Sequence, residues 1–150
     1  MAKVKYDMMD SDLASAVLSE AKSVYGLKTY ISLFSSAGVG CYGFKEEGFY
    51  CIATVELLER RLKIQSYNHK CAYKSGYICG DMTLQETKDK VFNELTLWKS
   101  ALNVTDLDVL IATPPCQGMS VANHKKKDEL KRNSLVVESI KMTQQIKPKF

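Results

Sequence analysis

Four short apolar segments recur along the chain, and a small, acidic or proline residue closes or follows each of them. They span residues 30–34, 49–55, 77–81 and 108–113. Runs of this length that are rich in β-branched and aromatic residues and bounded by turn residues are typical of buried β-strands. The pattern therefore predicts four strands, each with polar or small residues at its end.

The segment before the first strand has the spacing of an amphipathic helix. Residues 10–25 place their apolar side chains on one face, with Asp10 or Ser11 as the N-cap and Gly26 as the end. The apolar positions are Leu13, Val17, Leu18, Ala21 and Val24. We expect residues 1–28 to form a helical extension that precedes the main domain.

Helical spacing also follows each predicted strand. A short helix is expected to end at Glu47, and a second follows Glu56. A third begins at a capping box formed by Thr83 and Glu86, and a last one ends near Pro148. Their apolar positions include Leu57, Leu58 and Leu62, then Val91, Leu95 and Trp98, and finally Val136, Ile140, Thr143 and Ile146.

Strands that alternate with helices predict an α/β fold with a mostly parallel sheet and flanking helices. In such sheets, ligands bind beyond the carboxyl ends of the strands. The ends of the predicted strands carry the turn at Gly38, the carboxylates of Glu56 and Asp81, and the thiol of Cys116. We therefore expect these four groups to meet at one site.

The first strand passes directly into a run of small residues, 35–40. Small residues let the backbone turn tightly and approach a ligand, and the helix that follows offers free N–H groups. Glu56 ends the next strand about twenty positions later, where nucleotide-binding α/β folds place a carboxylate that accepts hydrogen bonds from ribose hydroxyls. Alternatively, Glu56 is a helix-start carboxylate that the helix dipole stabilises.

Cys116 follows the fourth strand after two prolines, Pro114 and Pro115. Proline restricts its own backbone and that of the preceding residue to extended geometry, which would display the thiol at the edge of the sheet. A reactive cysteine would be positioned in this way. The alternative is an ordinary half-buried core cysteine after a Pro-Pro turn.

A chain of 150 residues is long enough for one domain, which buries roughly two-thirds of the surface that its unfolded form exposes. Its five cysteines form no Cys-x-x-Cys pair, and His69 and His124 are far apart, so the usual spacing of a structural zinc site is absent. An odd number of cysteines without a signal peptide indicates reduced thiols in a cytosol. No apolar stretch approaches the length of a membrane span.

The net charge of +4 suits a polyanionic partner, and its distribution is uneven. Residues 125–127 are lysines, and Lys131 and Arg132 follow shortly after them. Such a cluster contacts phosphates or is a solvated face, and beside a candidate nucleophile the two interpretations are equally favoured. A second basic group is interpreted as a solvated face; it consists of Arg60, Arg61 and Lys63.

Several short motifs follow one another in a characteristic order. Residues 33–40 read Leu-Phe-Ser-Ser-Ala-Gly-Val-Gly, and Gly43-Phe44 follows them. Then come Glu56, Gly80-Asp81, and Pro115-Cys116-Gln117 with Ser120. From about residue 30 to residue 150, this order resembles the N-terminal half of the catalytic domain of the cytosine-C5 DNA methyltransferases. The resemblance implies a Rossmann-like class I methyltransferase fold with a partial sheet, and it makes residues 29–150 part of the catalytic domain.

The resemblance also implies S-adenosylmethionine as the cofactor and a DNA duplex with a flipped cytosine as the substrate, in a restriction-modification system. Cys116 would be the nucleophile that adds to C6 of cytosine, so that C5 accepts the methyl group. Glu56 would hold the ribose of the cofactor, and Asp81 its adenine amino group. The implied cofactor-binding set is Phe34, Ser36, Gly38, Gly40, Glu56, Leu57, Asp81, Met82 and Pro114. The implied nucleic-acid-binding set is Gln117, Ser120, Lys125, Lys126, Lys127 and Arg132.

Two features depart from the family pattern. Ser36 stands where the family usually has the first glycine of its loop, which is tolerable if the position keeps φ below zero. The chain also ends at Phe150, where the family's next strand and its Glu-Asn-Val motif should begin, and the target-recognition domain is missing. We therefore expect the isolated chain to be inactive, to leave an apolar sheet edge unpaired, and to need the missing C-terminal half or a complementary subunit.

Two other interpretations remain open from the sequence. One is a non-catalytic module that binds S-adenosylmethionine or a protein partner. The other keeps the chemistry but uses RNA as the substrate. No segment of the chain reads bases, so the sequence does not distinguish DNA from RNA.

Overall fold

The computed structural model describes residues 26–102, 104, 106–115 and 126–150, and within the last range it describes side chains from residue 134 onward. The helix predicted for residues 10–25 lies outside the described residues. Within the described ranges, no helix is both long enough and apolar enough to cross a membrane.

The described strands form one parallel sheet. Their bounds are Lys28–Leu33 (β1), Phe49–Glu56 (β2), Tyr77–Cys79 (β3) and Val109–Ala112 (β4). The order across the sheet is β3-β2-β1-β4, and each neighbouring pair is parallel. The predicted α/β fold with a parallel sheet is therefore confirmed.

Helices follow the strands as the spacing predicted. Their bounds are Tyr42–Glu46 (α1), Glu59–Tyr67 (α2), Gln85–Leu102 (α3) and Lys126–Ile146 (α4). Short 3₁₀ turns cover Val39–Cys41, directly before α1, and Lys74–Gly76, directly before β3. Each crossover thus returns the chain to the amino end of the sheet, so that all four strands point the same way.

The core lies on both faces of the central strands, because successive residues of a strand point to opposite sides. Ile31 and Leu33 of β1 belong to a large apolar cluster that includes Trp98 of α3 and Met142 of α4. Tyr30 belongs to a smaller cluster, which otherwise contains Cys41, Cys51 and Cys71. With both faces covered, the strand ends are where polar groups of the sheet can face a ligand.

Two predicted helix starts differ from the structure. α2 begins at Glu59, and Leu58 before it is extended, with φ −99° and ψ 112°. Thr83 and Glu86 form no capping box. The Thr83 hydroxyl donates to the carboxylate of Asp81, and Glu86 instead pairs with Lys90 one turn further along α3.

The predicted apolar face of the last helix is wrong in part. Ile140 is 53% exposed and Thr143 is also exposed, whereas Met142 is fully buried. The buried face carries Glu138, whose carboxylate pairs with Lys88 of α3 and with Lys141. The Lys88–Glu138 pair joins α4 to α3 and places Glu138, rather than Ile140, on the buried face.

The edge of β4 that was expected to be unpaired is partly covered. The backbone N–H of Phe150 donates to Asp108 at 2.9 Å, and the N–H of Leu110 donates to Phe150 at 2.9 Å. The N–H of Lys149 donates to Leu107 at 3.0 Å. The two bonds of Phe150, one to Asp108 and one from Leu110, follow the parallel pattern. Residues 149–150 therefore cover part of the outer edge of β4.

Candidate functional site

A cavity of about 410 Å³ lies where the carboxyl ends of all four strands meet. This volume is in the range of about 300–1,000 Å³ that small-molecule sites occupy. The lining includes six of the predicted cofactor-binding residues, which are Phe34, Ser36, Glu56, Leu57, Asp81 and Met82. The remaining lining residues are Val55, Leu58, Arg61, Gly80, Thr113, Pro115 and Leu135.

The turn after β1 has a left-handed backbone. Phe34 has φ 56° and Ser36 has φ 51°, so Ser36 does not meet the condition of φ below zero under which a serine is easily tolerated at this position. A non-glycine residue in this region costs roughly 1–2 kcal/mol. Two hydrogen bonds hold Ser36 there: its N–H donates to Glu56 Oε2 at 2.8 Å, and its carbonyl accepts from Gln65 Nε2 at 2.6 Å.

Glu56 is 5% exposed and accepts hydrogen bonds from three directions. Oε2 accepts from the Ser36 N–H, and Oε1 accepts from the Leu58 N–H at 3.1 Å and from Arg61 Nη1 at 3.2 Å. The bond to Leu58 lies at the start of α2, so Glu56 is indeed a helix-start carboxylate. It also lines the cavity, and the two interpretations of this residue are therefore compatible.

The segment after β3 brings a second carboxylate to the cavity. The N–H of Gly80 donates to the carbonyl of Glu56 at 3.1 Å, and a Cβ at Gly80 would lie 2.4 Å from Thr87 Oγ1. Asp81 Oδ1 accepts from the N–H and the hydroxyl of Thr83, each at 2.8 Å. Asp81 Oδ2 makes no hydrogen bond to a residue in the described ranges, and Met82 beside it is buried.

The end of β4 closes the cavity on the other side of β1. Thr113 donates through its N–H to Leu33 at 3.2 Å and through its hydroxyl to Phe34 at 3.0 Å. Pro115 lines the cavity, whereas Pro114 is half-buried and does not. The residue after Pro115 is Cys116, so the predicted nucleophile directly follows the cavity wall in sequence.

Several predicted site residues fall where the structure gives no side chain. Cys116, Gln117, Ser120 and Lys125 lie outside the described residues. Lys126, Lys127 and Arg132 belong to α4, but their side chains are likewise outside the described part. Their predicted contacts with nucleic acid therefore stay predictions.

Gly38 and Gly40 do not line the cavity at the strand ends. Gly38 has φ 87°, and a Cβ there would lie 3.0 Å from Cγ of Gln65. It lines a separate cavity of about 450 Å³ together with Tyr42 and Lys70. Gly40 has open space where a Cβ would be. Gly38 thus serves the tight turn and the close approach of Gln65.

Two site residues were missed from the sequence. Arg61, interpreted as part of a solvated face, lines the cavity and forms an ion pair with Glu56. Gln65 is 1% exposed and bonds Ser36, Ser35 and Thr54 at 2.6 to 2.9 Å. The four-residue spacing of Arg61 and Gln65 places both on one face of α2, but this spacing alone does not show that the face meets the turn after β1.

The described residues contain no group of histidine, cysteine, aspartate or glutamate side chains that could hold a metal ion. The arrangement at the strand ends is instead one of two carboxylates beside apolar surface. Carboxylates accept hydrogen bonds from hydroxyl and amino groups, and apolar side chains pack against a flat ring. The cavity is therefore suited to a nucleoside-like ligand.

A sequence profile of the family described as C-5 cytosine-specific DNA methylase matches residues 28–150. The Type II methyltransferase M1.HgaI of Avibacterium volantium is 36% identical over 137 residues, which are 86% of this chain and 33% of that protein. The Type II methyltransferase M.DdeI of Desulfomicrobium norvegicum is 31% identical over 121 residues, which are 80% of this chain and 26% of that protein. The DNA-cytosine methyltransferase of Escherichia coli K12 is 30% identical over 106 residues, which are 69% of this chain and 22% of that protein.

The chain spans a third or less of the length of these three relatives. The family match includes all four strands and every residue that lines the cavity at their ends. The chain therefore belongs to the C-5 cytosine-specific DNA methylase family.

Proposed function

We propose that this chain provides the cofactor site and the cysteine nucleophile of a DNA cytosine-5 methyltransferase of a restriction-modification system. Members of this family use S-adenosylmethionine as the methyl donor. The observation that carries the proposal is the cavity at the carboxyl ends of the strands. It joins Glu56, Asp81 and Met82 to Pro115, which directly precedes Cys116.

The polar groups of the cavity suit the nucleoside part of this cofactor. A carboxylate offers about four acceptor positions, and three donors already reach Glu56, which leaves room for one ribose hydroxyl. Asp81 Oδ2 is the second acceptor, and we assign it to the adenine amino group. Phe34 and Met82 supply apolar surface for the ring.

We propose that the Cys116 thiolate adds to C6 of cytosine, which makes C5 nucleophilic enough to take a methyl group. Bound S-adenosylmethionine supplies that methyl group from its sulfonium. Loss of the C5 proton and departure of the thiolate then restore the ring. The thiol must ionise before it attacks, because an ordinary cysteine has a pKa of about 8.5.

The basic residues around the start of α4 suit a DNA backbone. We propose that Lys125, Lys126, Lys127 and Arg132 contact phosphates beside the flipped base, with Gln117 and Ser120 close to the base itself. The name of the Escherichia coli relative, DNA-cytosine methyltransferase, favours DNA over RNA as the substrate. A DNA substrate of this kind places the activity in a bacterial or phage-type cytosol.

The aligned residues make up 33% of M1.HgaI and 26% of M.DdeI, so the remaining elements of the active site are proposed to come from further sequence or from a second subunit. On this proposal, the chain by itself does not methylate DNA. Turnover of a cytosine-containing duplex by the pure 150-residue chain would contradict this part of the proposal.

Calorimetry with S-adenosylmethionine tests the cofactor site directly on this chain. Asp81→Asn presents an amide N–H₂ toward the adenine amino group, and we expect it to weaken binding by about tenfold or more. Asp89→Asn, on the exposed side of α3, is the matched control and should bind like the unchanged chain. Equal binding by both variants would show that the cavity does not hold the adenine.

The nucleophile is tested in the complete methyltransferase. Cys116→Ser should abolish methyl transfer to a cytosine-containing duplex while leaving the calorimetric affinity for S-adenosylmethionine within about twofold. Cys79→Ser, which alters the exposed thiol at the end of β3, is the control. Methyl transfer by the Cys116→Ser variant would rule out the proposed role of this cysteine.

A further inference from the structure

Two buried thiols face each other near the amino end of the sheet, away from the cofactor cavity. Cys51 lies in β2, and Cys71 lies in the connection between α2 and β3. Their sulfurs are 3.5 Å apart, and the Cys71 thiol donates to Cys51 Sγ. Both residues are nearly inaccessible, at 1% and 7% exposure.

The backbone already holds the two cysteines at a spacing that a disulfide can bridge. Cys51 and Cys71 are partners in an isolated parallel bridge. Paired strands lie about 4.8 Å apart, and disulfides join Cα atoms that are about 4.4–6.8 Å apart. The β1–β2 register shifts directly beyond Cys51, which leaves Ile52 without a partner on β1. Such irregularities bend a strand and re-aim its side chains.

A small cavity borders this pair. It has a volume of about 70 Å³, and its lining includes Cys51, Cys71, Lys45, His69 and Lys70. Its cationic residues favour an anionic reactant or a thiolate leaving group. The cavity thus joins the buried sulfurs to a basic surface.

The surroundings make the two sulfurs unequal. Burial opposes ionisation of Cys51, yet the hydrogen bond from Cys71 and the nearby Lys70 ammonium lower the pKa of Cys51 below its ordinary value. Burial and the same hydrogen bond raise the pKa of Cys71 well above its ordinary value. The hydrogen bond from Cys71 to Cys51, together with these two directions, favours Cys51 as the attacking thiolate and Cys71 as the resolving thiol.

We propose that Cys51 and Cys71 form a redox-active dithiol that low-molecular-weight disulfides convert to an intramolecular disulfide. The Cys51 thiolate attacks one sulfur of the reagent, RSSR, forming a mixed disulfide and releasing one thiolate, RS⁻. Cys71 then loses its proton and attacks the Cys51 sulfur, and the second RS⁻ leaves. The two cysteines are oxidised, and RSSR is reduced to two RSH.

The other described cysteines lack this arrangement. Cys41 Sγ lies 3.1 Å from the hydroxyl of Ser32, and Cys79 Sγ lies 3.5 Å from the carbonyl of Leu57. Neither has a second sulfur as a hydrogen-bond partner among the described residues. The proposed disulfide would tie β2 to the connection that follows α2, and both elements frame the helix that carries Arg61 and Gln65.

The experiment is a titration of the reduced, folded chain with glutathione buffers of rising oxidised fraction, followed by alkylation, trypsin digestion and mass spectrometry. Each of the five cysteines falls on its own tryptic peptide, with Cys51 in 46–60 and Cys71 in 71–74. We expect the 46–60/71–74 cross-link to exceed every other cysteine pair by at least about tenfold. In urea the same titration should lose this preference.

The resolving step is tested with Cys71→Ser, which should accumulate glutathione on Cys51, and Cys79→Ser is the matched control. Circular dichroism shows whether each variant is folded. If the Cys71→Ser variant is unfolded, the proposal is tested by the cross-link in the unchanged chain alone. Recovery of Cys51 and Cys71 as separate alkylated peptides from folded protein, under buffers that glutathionylate Cys79, would overturn the proposal.

Discussion

Two buried glutamates, one at the cofactor cavity and one near the dithiol, have opposite surroundings. Glu56 ends β2 at 5% exposure and accepts hydrogen bonds from Ser36, Leu58 and Arg61. Glu94 lies in α3 at 6% exposure, and its carboxylate is bonded by Ser75, just before β3. Its Oε2 makes no hydrogen bond to a described residue.

The two carboxylates differ in their hydrogen-bond partners. At the carboxyl ends, backbone N–H groups and Arg61 donate hydrogen bonds to both oxygens of Glu56. Near the amino end of β3, burial raises the pKa of Glu94, and Glu94 in turn helps to raise the pKa of Cys71. A ligand that offers hydroxyl and amino donors therefore fits only the first of these two regions.

Among the substitutions that distinguish the cofactor cavity from the region of the dithiol, Glu56→Gln should have the largest effect. The amide places an N–H₂ against either the Ser36 N–H or the donors on Oε1, so one buried donor loses its acceptor. We expect a loss of about 2 kcal/mol in the free energy of unfolding and at least about tenfold weaker binding of S-adenosylmethionine. Urea unfolding and calorimetry measure the two effects.

Glu86→Gln is the control for Glu56→Gln, because Glu86 is exposed and its ion-pair partner among the described residues is Lys90. Its substitution should leave the free energy of unfolding nearly unchanged. If Glu56→Gln behaved like Glu86→Gln, the three hydrogen bonds would not be what holds the cavity together.

Substitutions at two glycines, Gly76 near the dithiol and Gly80 at the cofactor cavity, test how tightly each region is packed. A Cβ at Gly76 would lie 2.6 Å from the backbone oxygen of Ile52 and 3.2 Å from Cβ of Cys71. A Cβ at Gly80 would lie 2.4 Å from the side-chain Oγ1 of Thr87. Relief at Gly80 requires Thr87 to shift, because its Cγ2 at 2.9 Å and its Cβ at 3.2 Å are close as well. Relief at Gly76 requires the β2 backbone to move, which distorts the sheet. We expect Gly76→Ala to cost about 2 kcal/mol and Gly80→Ala about half of that, as measured by urea unfolding.

The Gly76 comparison also bears on the dithiol. If Gly76→Ala displaces Cys71, the yield of the 46–60/71–74 cross-link should fall, whereas Gly80→Ala should leave it unchanged. A larger loss of stability for Gly80→Ala than for Gly76→Ala would contradict this account of the packing.

The four strands and the two carboxylates could be predicted from sequence because both signals are local. Glu56 and Asp81 each lie at the end of an apolar run, and parallel strands bring such ends together. Arg61 and Gln65 could not be assigned, because their roles depend on how α2 packs over the turn after β1. A basic residue with a polar residue four positions later has the same pattern on any solvated helix.

The dithiol and the orientation of α4 also could not be predicted from the sequence. Cys51 and Cys71 are far apart along the chain, and their contact depends on a single isolated bridge. In α4, two overlapping faces have comparable apolar content. The ion pair between Lys88 and Glu138 decides between them, and it joins residues on different helices.

Glu94→Gln should have an effect of the opposite sign to Glu56→Gln. Burial raises the folded-state pKa of Glu94 above its unfolded-state pKa. The folded protein therefore loses stability as pH rises from the unfolded-state pKa through the folded-state pKa. The amide removes this loss, since a neutral group costs less to bury than a charge. We expect the variant to gain about 1 kcal/mol at pH 8 and nothing at pH 4.

Unfolding by urea at several pH values measures this gain. Glu59→Gln is the control, because Glu59 is exposed and pairs with Lys63. A gain for Glu94→Gln that was equal at pH 4 and pH 8 would show that the charge of Glu94 is not its cause.

Ser36→Gly should have the smallest effect, and it isolates the strain in the turn that serves the cofactor cavity. Glycine adopts the φ of 51° without the strain energy of roughly 1–2 kcal/mol that another residue has there. Its more flexible unfolded state, however, lowers the free energy of unfolding by about 0.5–1 kcal/mol. Both hydrogen bonds of Ser36 use its backbone and are retained. The net gain should be about 0.5 kcal/mol in urea unfolding, and Ser36→Ala, which keeps the Cβ, should show none. Equal stabilities of the two variants would mean that the bonds to Glu56 and Gln65 already compensate for the left-handed backbone.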